Sequence, residues 1–146
     1  MNSEKIARRI LSRARRMGFA YASGPLRQSD GAWMTTILVD GHEYRARSRP
    51  ITVPHDRPKG FDHITVERRH TDQYRLAVAF ARAVADLKDV DADGSDLDVW
   101  HKDGIAGFVV QARKGGRHLV EVSEHTFEMQ LAEAHARKAS STEIVA

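Results

Sequence analysis

Arginine is the residue type whose placement in this chain suggests chemistry. Arg8, Arg9, Arg13, Arg15 and Arg16 fall within one arc of a helix that the sequence predicts over residues 3–17. Arg45, Arg47 and Arg49 alternate along a strand and so share one sheet face, and Arg68 and Arg69 close the same half of the chain. Ten Arg and two Lys precede position 60. Guanidinium forks match phosphate oxygens bidentately and stack on bases, so the arginines of the helix arc, the strand face and the Arg68-Arg69 pair form the candidate binding set for a DNA or RNA backbone. An acidic protein surface is the alternative partner, since the same charges complement carboxylates equally well. GC-rich coding also yields Arg in place of Lys, and a solvated helix face paired with acids elsewhere in the chain would account for the same pattern. Residues 1–70 carry 14 Lys and Arg against 7 Asp and Glu, and residues 71–146 carry 9 against 13, a basic front half and an acidic back half. That division fits a polyanionic partner or mutual packing of the two halves.

Other constellations are weaker. Asp89, Asp91, Asp93, Gly94 and Asp96 match the opening of an EF-hand-type calcium loop, in which alternate carboxylates converge on a hard cation. The bridge position, however, is Asp96, and Trp100 stands where the bidentate Glu belongs, so an acidic solvated turn is expected. The eight histidines include no helical H-E-x-x-H pair; His55 lies between prolines, and His63 and His70 have no ligand spacing. No phosphate-cradling glycine loop or G-x-S-x-G nucleophile elbow occurs, and the absence of cysteine removes disulfides, thiolate metal sites and thiol nucleophiles. The carboxylate pairs Glu43 with Glu67 and Asp30 with Asp62 have nothing in the sequence to bring them together. A binding protein without catalytic residues, metal or cofactor is the expectation.

These residues need elements to hold them. Ser3 reads as the N-cap of the first helix and Gly18 as its C′ residue, with Ile6, Ile10, Leu11, Ala14 and Met17 as the apolar side. A Gly24-Pro25 turn precedes a strand from Trp33 to Val39, and Asp40-Gly41 has the residues a type I′ hairpin turn wants before the return strand His42 to Arg47. Short strands are expected at 50–53 and 63–68, the latter with Ile64 and Val66 on one side. Thr71 or Asp72 caps a helix running to about Lys88, built around Leu76, Phe80, Ala83, Val84 and Leu87. A meander of 97–101, 105–113 and 117–122 turns at Asp103-Gly104 and Gly115-Gly116, and a last helix places Phe127, Leu131 and Ala134 together.

The expected fold class is therefore α+β, a small antiparallel sheet with about three helices on one face and a weak α-β-β-β duplication. Residues 1–146 should form one domain, with a basic subdomain 1–70, an acidic subdomain 71–139 and a frayed tail 140–146. From Thr71 to Ala139 the order α-β-β-β-α resembles double-stranded-RNA-binding domains, and the part from Leu97 is similar to the small sheet domains at the front of tyrosine integrases. Glu124, Glu128 and Glu133 stand where the RNA-binding family carries a Lys-rich helix start. No run approaches the ~18 apolar residues of a membrane span, and Glu4 interrupts an otherwise presequence-like opening, so a cytoplasmic location is expected. Function is read as non-enzymatic nucleic-acid association, with a protein-binding regulator or inhibitor, for example an accessory or anti-defence protein of a phage or mobile element, as the alternative.

Overall fold

The structure, a computed structural model, describes residues 1–53, 57–91 and 98–145, with side chains through Ala139. Its elements are α1 (Ser3–Arg16), β1 (Tyr21–Arg27), β2 (Trp33–Val39), β3 (His42–Ile51), β4 (Asp62–His63), α2 (Asp72–Ala85), β5 (Trp100–Lys102), β6 (Ile105–Gln111), β7 (Arg117–Glu124) and α3 (Phe127–Val145), with a 3-10 helix at Glu67–His70. The strands form one seven-stranded sheet in the order β1-β2-β3-β7-β6-β5-β4. Every neighbouring pair is antiparallel. The class is α+β.

The order has an internal logic. One unit runs α1-β1-β2-β3 and the other α2-β5-β6-β7, and the two join through their last strands, Arg47 facing Glu121 and Ser48 facing Val120 across the β3–β7 pair. This is the α-β-β-β repetition expected from the turn spacing, with β4 added at one edge. Asp40 and Asp103 both take positive φ, 50° and 45°, each followed by a glycine at 81°. Both Asp-Gly pairs thus supply the two left-handed residues that a type I′ turn requires.

One face of the sheet carries the main core. Ile6, Ile10 and Ala14 of α1 and Leu76, Phe80 and Val84 of α2 pack with Ile37, Tyr44, Ala46, Phe108, Val110, Val120 and Val122. Period-two alternation sends Leu119, Val109 and Ile51 to the opposite face, where Phe61 and Trp100 complete a smaller cluster. Gly107 makes room for Phe61 on this face, because a Cβ there would lie 2.8 Å from the Phe61 ring and 3.2 Å from the carbonyl of Val120.

Several elements differ from expectation. Asn2, not Ser3, caps α1 through Oδ1, which accepts from the Lys5 amide at 2.9 Å. Gly24-Pro25 lies inside β1 instead of forming a turn. A proline is tolerated there because β1 is an edge strand, and the register slips between Ser23 and Leu26. Residues 50–51 continue β3, so no separate strand starts at Pro50. The strand expected over 63–68 shrinks to Asp62–His63 followed by the 3-10 helix, and Val66 is exposed. Edge pairing with β5 ends after two residues, which leaves the apolar alternation of Ile64 and Val66 without a sheet to join. The helix α2 stops at Ala85, short of Lys88, as its C-cap Asp86 closes on the Val84 carbonyl. In α3, residues 127–139 are all exposed, including Phe127, Leu131 and Ala134. The backbone of α3 stays helical to Val145, and the membership of its apolar side in the core does not hold. No helix among the described residues is long and apolar enough to cross a membrane.

Candidate polyanion-binding face

The structure divides the ten sequence-predicted arginines among α1, β3 and the 3-10 helix. Those of α1 lie on the helix layer, because Ile6, Ala7, Ile10, Leu11 and Ala14 are buried and leave the opposite arc to solvent. Arg13, Arg15 and Arg16 occupy the last turn and are exposed, and their guanidinium groups make no hydrogen bond or ion pair with any described residue. Arg8 is exposed and pairs with Glu4 one turn away at 2.8 Å. Arg8, Leu11, Ser12, Arg15 and Arg16 line a shallow open groove of about 390 Å³ along the helix. Arg9 behaves differently: its Nε donates to the carbonyl of Ala83 at 3.0 Å, tying α1 to the last turn of α2.

Arg45, Arg47 and Arg49 lie across the sheet from α1, since Tyr44, Ala46 and Ser48 between them are buried beneath the helices. All three are engaged. Arg45 bonds Glu43 at 3.0 Å and Glu133 at 3.2 Å, Arg47 pairs with Asp30, and Arg49 meets Glu121 at 3.2 Å. Among the described residues, three Lys or Arg pairs join the basic half to the acidic half: Lys5 with Asp89, Arg45 with Glu133 and Arg49 with Glu121. Part of the division of charge is therefore spent on holding the halves together. The carboxyl groups register it: the Ala32 amide and Arg47 hold Asp30 below the usual carboxylate range, and Lys5 does the same for Asp89. At Glu133 burial works upward, but Arg45 and His125 prevail and the net shift is downward.

Arg68 and Arg69 sit exposed on the 3-10 helix before α2. Sequence reasoning overlooked Arg75 and Arg82, which α2 presents to solvent two turns apart. Their spacing of seven residues, opposite Leu76, Phe80 and Val84, was the signal that marks them as one exposed helical row. The cationic surface is thus the two-helix layer, and the strand arginines belong elsewhere.

Three histidines take structural positions, His118, His125 and His42. Ser3 Oγ lies 2.7 Å from Nδ1 of His118, whose Nε2 is 3.1 Å from the carbonyl of Gly115. With Nε2–H donating to that carbonyl, Nδ1 accepts from the hydroxyl, which is the neutral tautomer. Burial pushes the imidazole pKa down accordingly. The pair is buried and fastens the start of α1 to β7. His125 is buried beside Glu133 at 3.3 Å, and His42 meets Glu124 at 3.0 Å. Tyr44 donates to Asp72 at 3.2 Å, and its pKa is pushed up to about 12 by burial and by that carboxylate. Among the described residues, no three His, Asp or Glu side chains gather as metal ligands. Residues 92–97 of the calcium-loop pattern, and His55 and Asp56, lie outside the described residues. Trp100 is buried at the start of β5, and Asp89 is held by Lys5. Compared with protein-family models, curated proteins and solved structures, the chain matches none.

Proposed function

We propose that the protein is a non-enzymatic nucleic-acid-associated protein that holds phosphate backbone on the outer face of α1. The observation behind this reading is the contrast among the arginines. Arg45, Arg47 and Arg49 of β3 are neutralised within the fold, whereas Arg13, Arg15 and Arg16 project from a deeply anchored helix with no side-chain partner among the described residues. Ion pairing with phosphate would release condensed counterions, and three such contacts give a salt slope of about −3 on duplex DNA. Nothing on this face offers a planned set of base-edge contacts, so binding should tolerate sequence. The test is fluorescence anisotropy with random duplexes and single strands. Replacing Arg13, Arg15 and Arg16 together by Ala should weaken binding on all of them alike and flatten the salt slope, with the fold unchanged.

A second reading, protein–protein contact, has its own observation. Phe127, Met129 and Leu131 are 74%, 48% and 44% exposed on α3, a larger apolar display than a solvated helix needs. Under that reading Phe127→Asp and Leu131→Asp abolish a specific complex, and the wild type shows no nucleic-acid binding even at low salt.

A further inference from the structure

Beside α2, on the side facing β4 and β5, lies a cleft of about 430 Å³, within the ~300–1,000 Å³ range of small-molecule sites. Tyr74, Val78, Ala81, Arg82 and Ala85 form one stripe of α2 along its wall. The stripe spans about 16 Å of helix axis. The small side chains of Ala81 and Ala85 leave the space that larger residues at these positions would fill. Opposite stand His63 of β4, Ile64 after it, Arg69 of the 3-10 helix, and Asp98 and Val99 before β5. The guanidinium groups of Arg69 and Arg82 make no hydrogen bond or ion pair with any described residue, although Asp98 lines the same cleft.

We infer that this cleft binds a phosphate monoester carrying a ring-sized group, a nucleoside monophosphate either free or as the phosphorylated end of a strand. Arg69 and Arg82 supply forked donors for the phosphate oxygens, and His63 adds a further donor. Val78, Ala81, Ala85, Ile64 and Val99 offer apolar area for a base, with the Tyr74 ring at one end for stacking. Asp98 is the single carboxylate among the described lining residues, and it opposes a phosphate. The site does not depend on the α1 reading, since it shares no residue with Arg13, Arg15 or Arg16.

Calorimetry on the full chain tests the assignment with adenosine 5′-monophosphate, adenosine and inorganic phosphate as probes. The monophosphate should bind at submillimolar concentration and more tightly than either part alone. Arg69→Gln and Arg82→Gln should each weaken it roughly tenfold or more, the worth of a lost charge-assisted hydrogen bond. Asp98→Asn should tighten it, and Ala85→Leu should weaken it by filling the cleft. Circular dichroism and urea melts confirm that these surface variants remain folded. A 5′-phosphorylated oligonucleotide that outcompetes its 5′-hydroxyl twin, with dependence on Arg69, assigns the strand end as the source. Equal binding of the twins, with the monophosphate retained, assigns the free nucleotide. No heat of binding up to about 10 mM monophosphate, or an affinity indifferent to both arginine substitutions, overturns the site.

Discussion

Arg9 donates to the Ala83 carbonyl, whereas Arg13, Arg15 and Arg16 end in solvent, so one helix carries arginines of two kinds. Loss of the partly buried Arg9 bond should cost about 1 kcal/mol, and Ala at 13, 15 or 16 should stay within about 0.5 kcal/mol of wild type. Urea denaturation of the four single variants distinguishes them; a destabilised Arg15→Ala with an indifferent Arg9→Ala would reverse the assignment. His118 makes a second residue-scale prediction. Its folded pKa lies below its unfolded value near 6.5, so the unfolded chain takes up the proton first as pH falls. The stabilisation is complete above about pH 6.5 and is lost as pH falls through the lower folded value. Stability should therefore decline as pH falls below about 6.5, and His118→Gln should flatten that decline. Wild type and variant with parallel pH profiles would mean that the Ser3–His118 contact carries no such linkage.

At the scale of elements, α2 is the test of the core. Phe80 is fully buried among Ala77, Ala81 and the β6 and β7 side chains, and the alanines have no length with which to fill a vacated ring. Phe80→Ala should cost about 3–5 kcal/mol, while Phe127→Ala on α3 should cost less than about 0.5. Chemical denaturation measures both, and a Phe127 variant as damaging as Phe80→Ala would mean that α3 is packed after all. The same contrast explains what the sequence made legible. The amphipathic pattern of α1 and α2 and the Asp-Gly turns are local signals, and they placed both helices and both hairpins. Edge strand β1 was hidden because Gly24-Pro25 carries a turn signature, which only an edge position can accommodate. The 63–68 segment alternates like a strand, but whether a partner strand continues alongside is a property of the sheet. The basic α1 face was readable from spacing; the pairing of Arg45, Arg47 and Arg49 with Glu133, Asp30 and Glu121 was not, because 88, 17 and 72 residues separate the partners.

For the whole molecule, the division of charge has two outcomes. Lys5–Asp89, Arg45–Glu133 and Arg49–Glu121 join the halves, and the carboxyls of Asp89 and Glu133 titrate below their usual range. Their contribution is present above the unfolded carboxylate values near pH 4 and is lost as pH falls through the lower folded ones. The helix layer of α1 and α2 keeps exposed cations, and there Arg13, Arg15 and Arg16 also complement the carbonyl end of the α1 dipole. A favourable dipole contact does not occupy the guanidinium forks. The most direct test of the central claim is anisotropy of a labelled random duplex titrated with wild type and with the Arg13, Arg15 and Arg16 triple Ala variant from low to physiological salt. The account predicts salt-dependent binding by the wild type, with a log–log slope about three units shallower in a variant that remains folded. Wild-type binding that is unmeasurable at low salt, or a variant with the same affinity and slope, would contradict it.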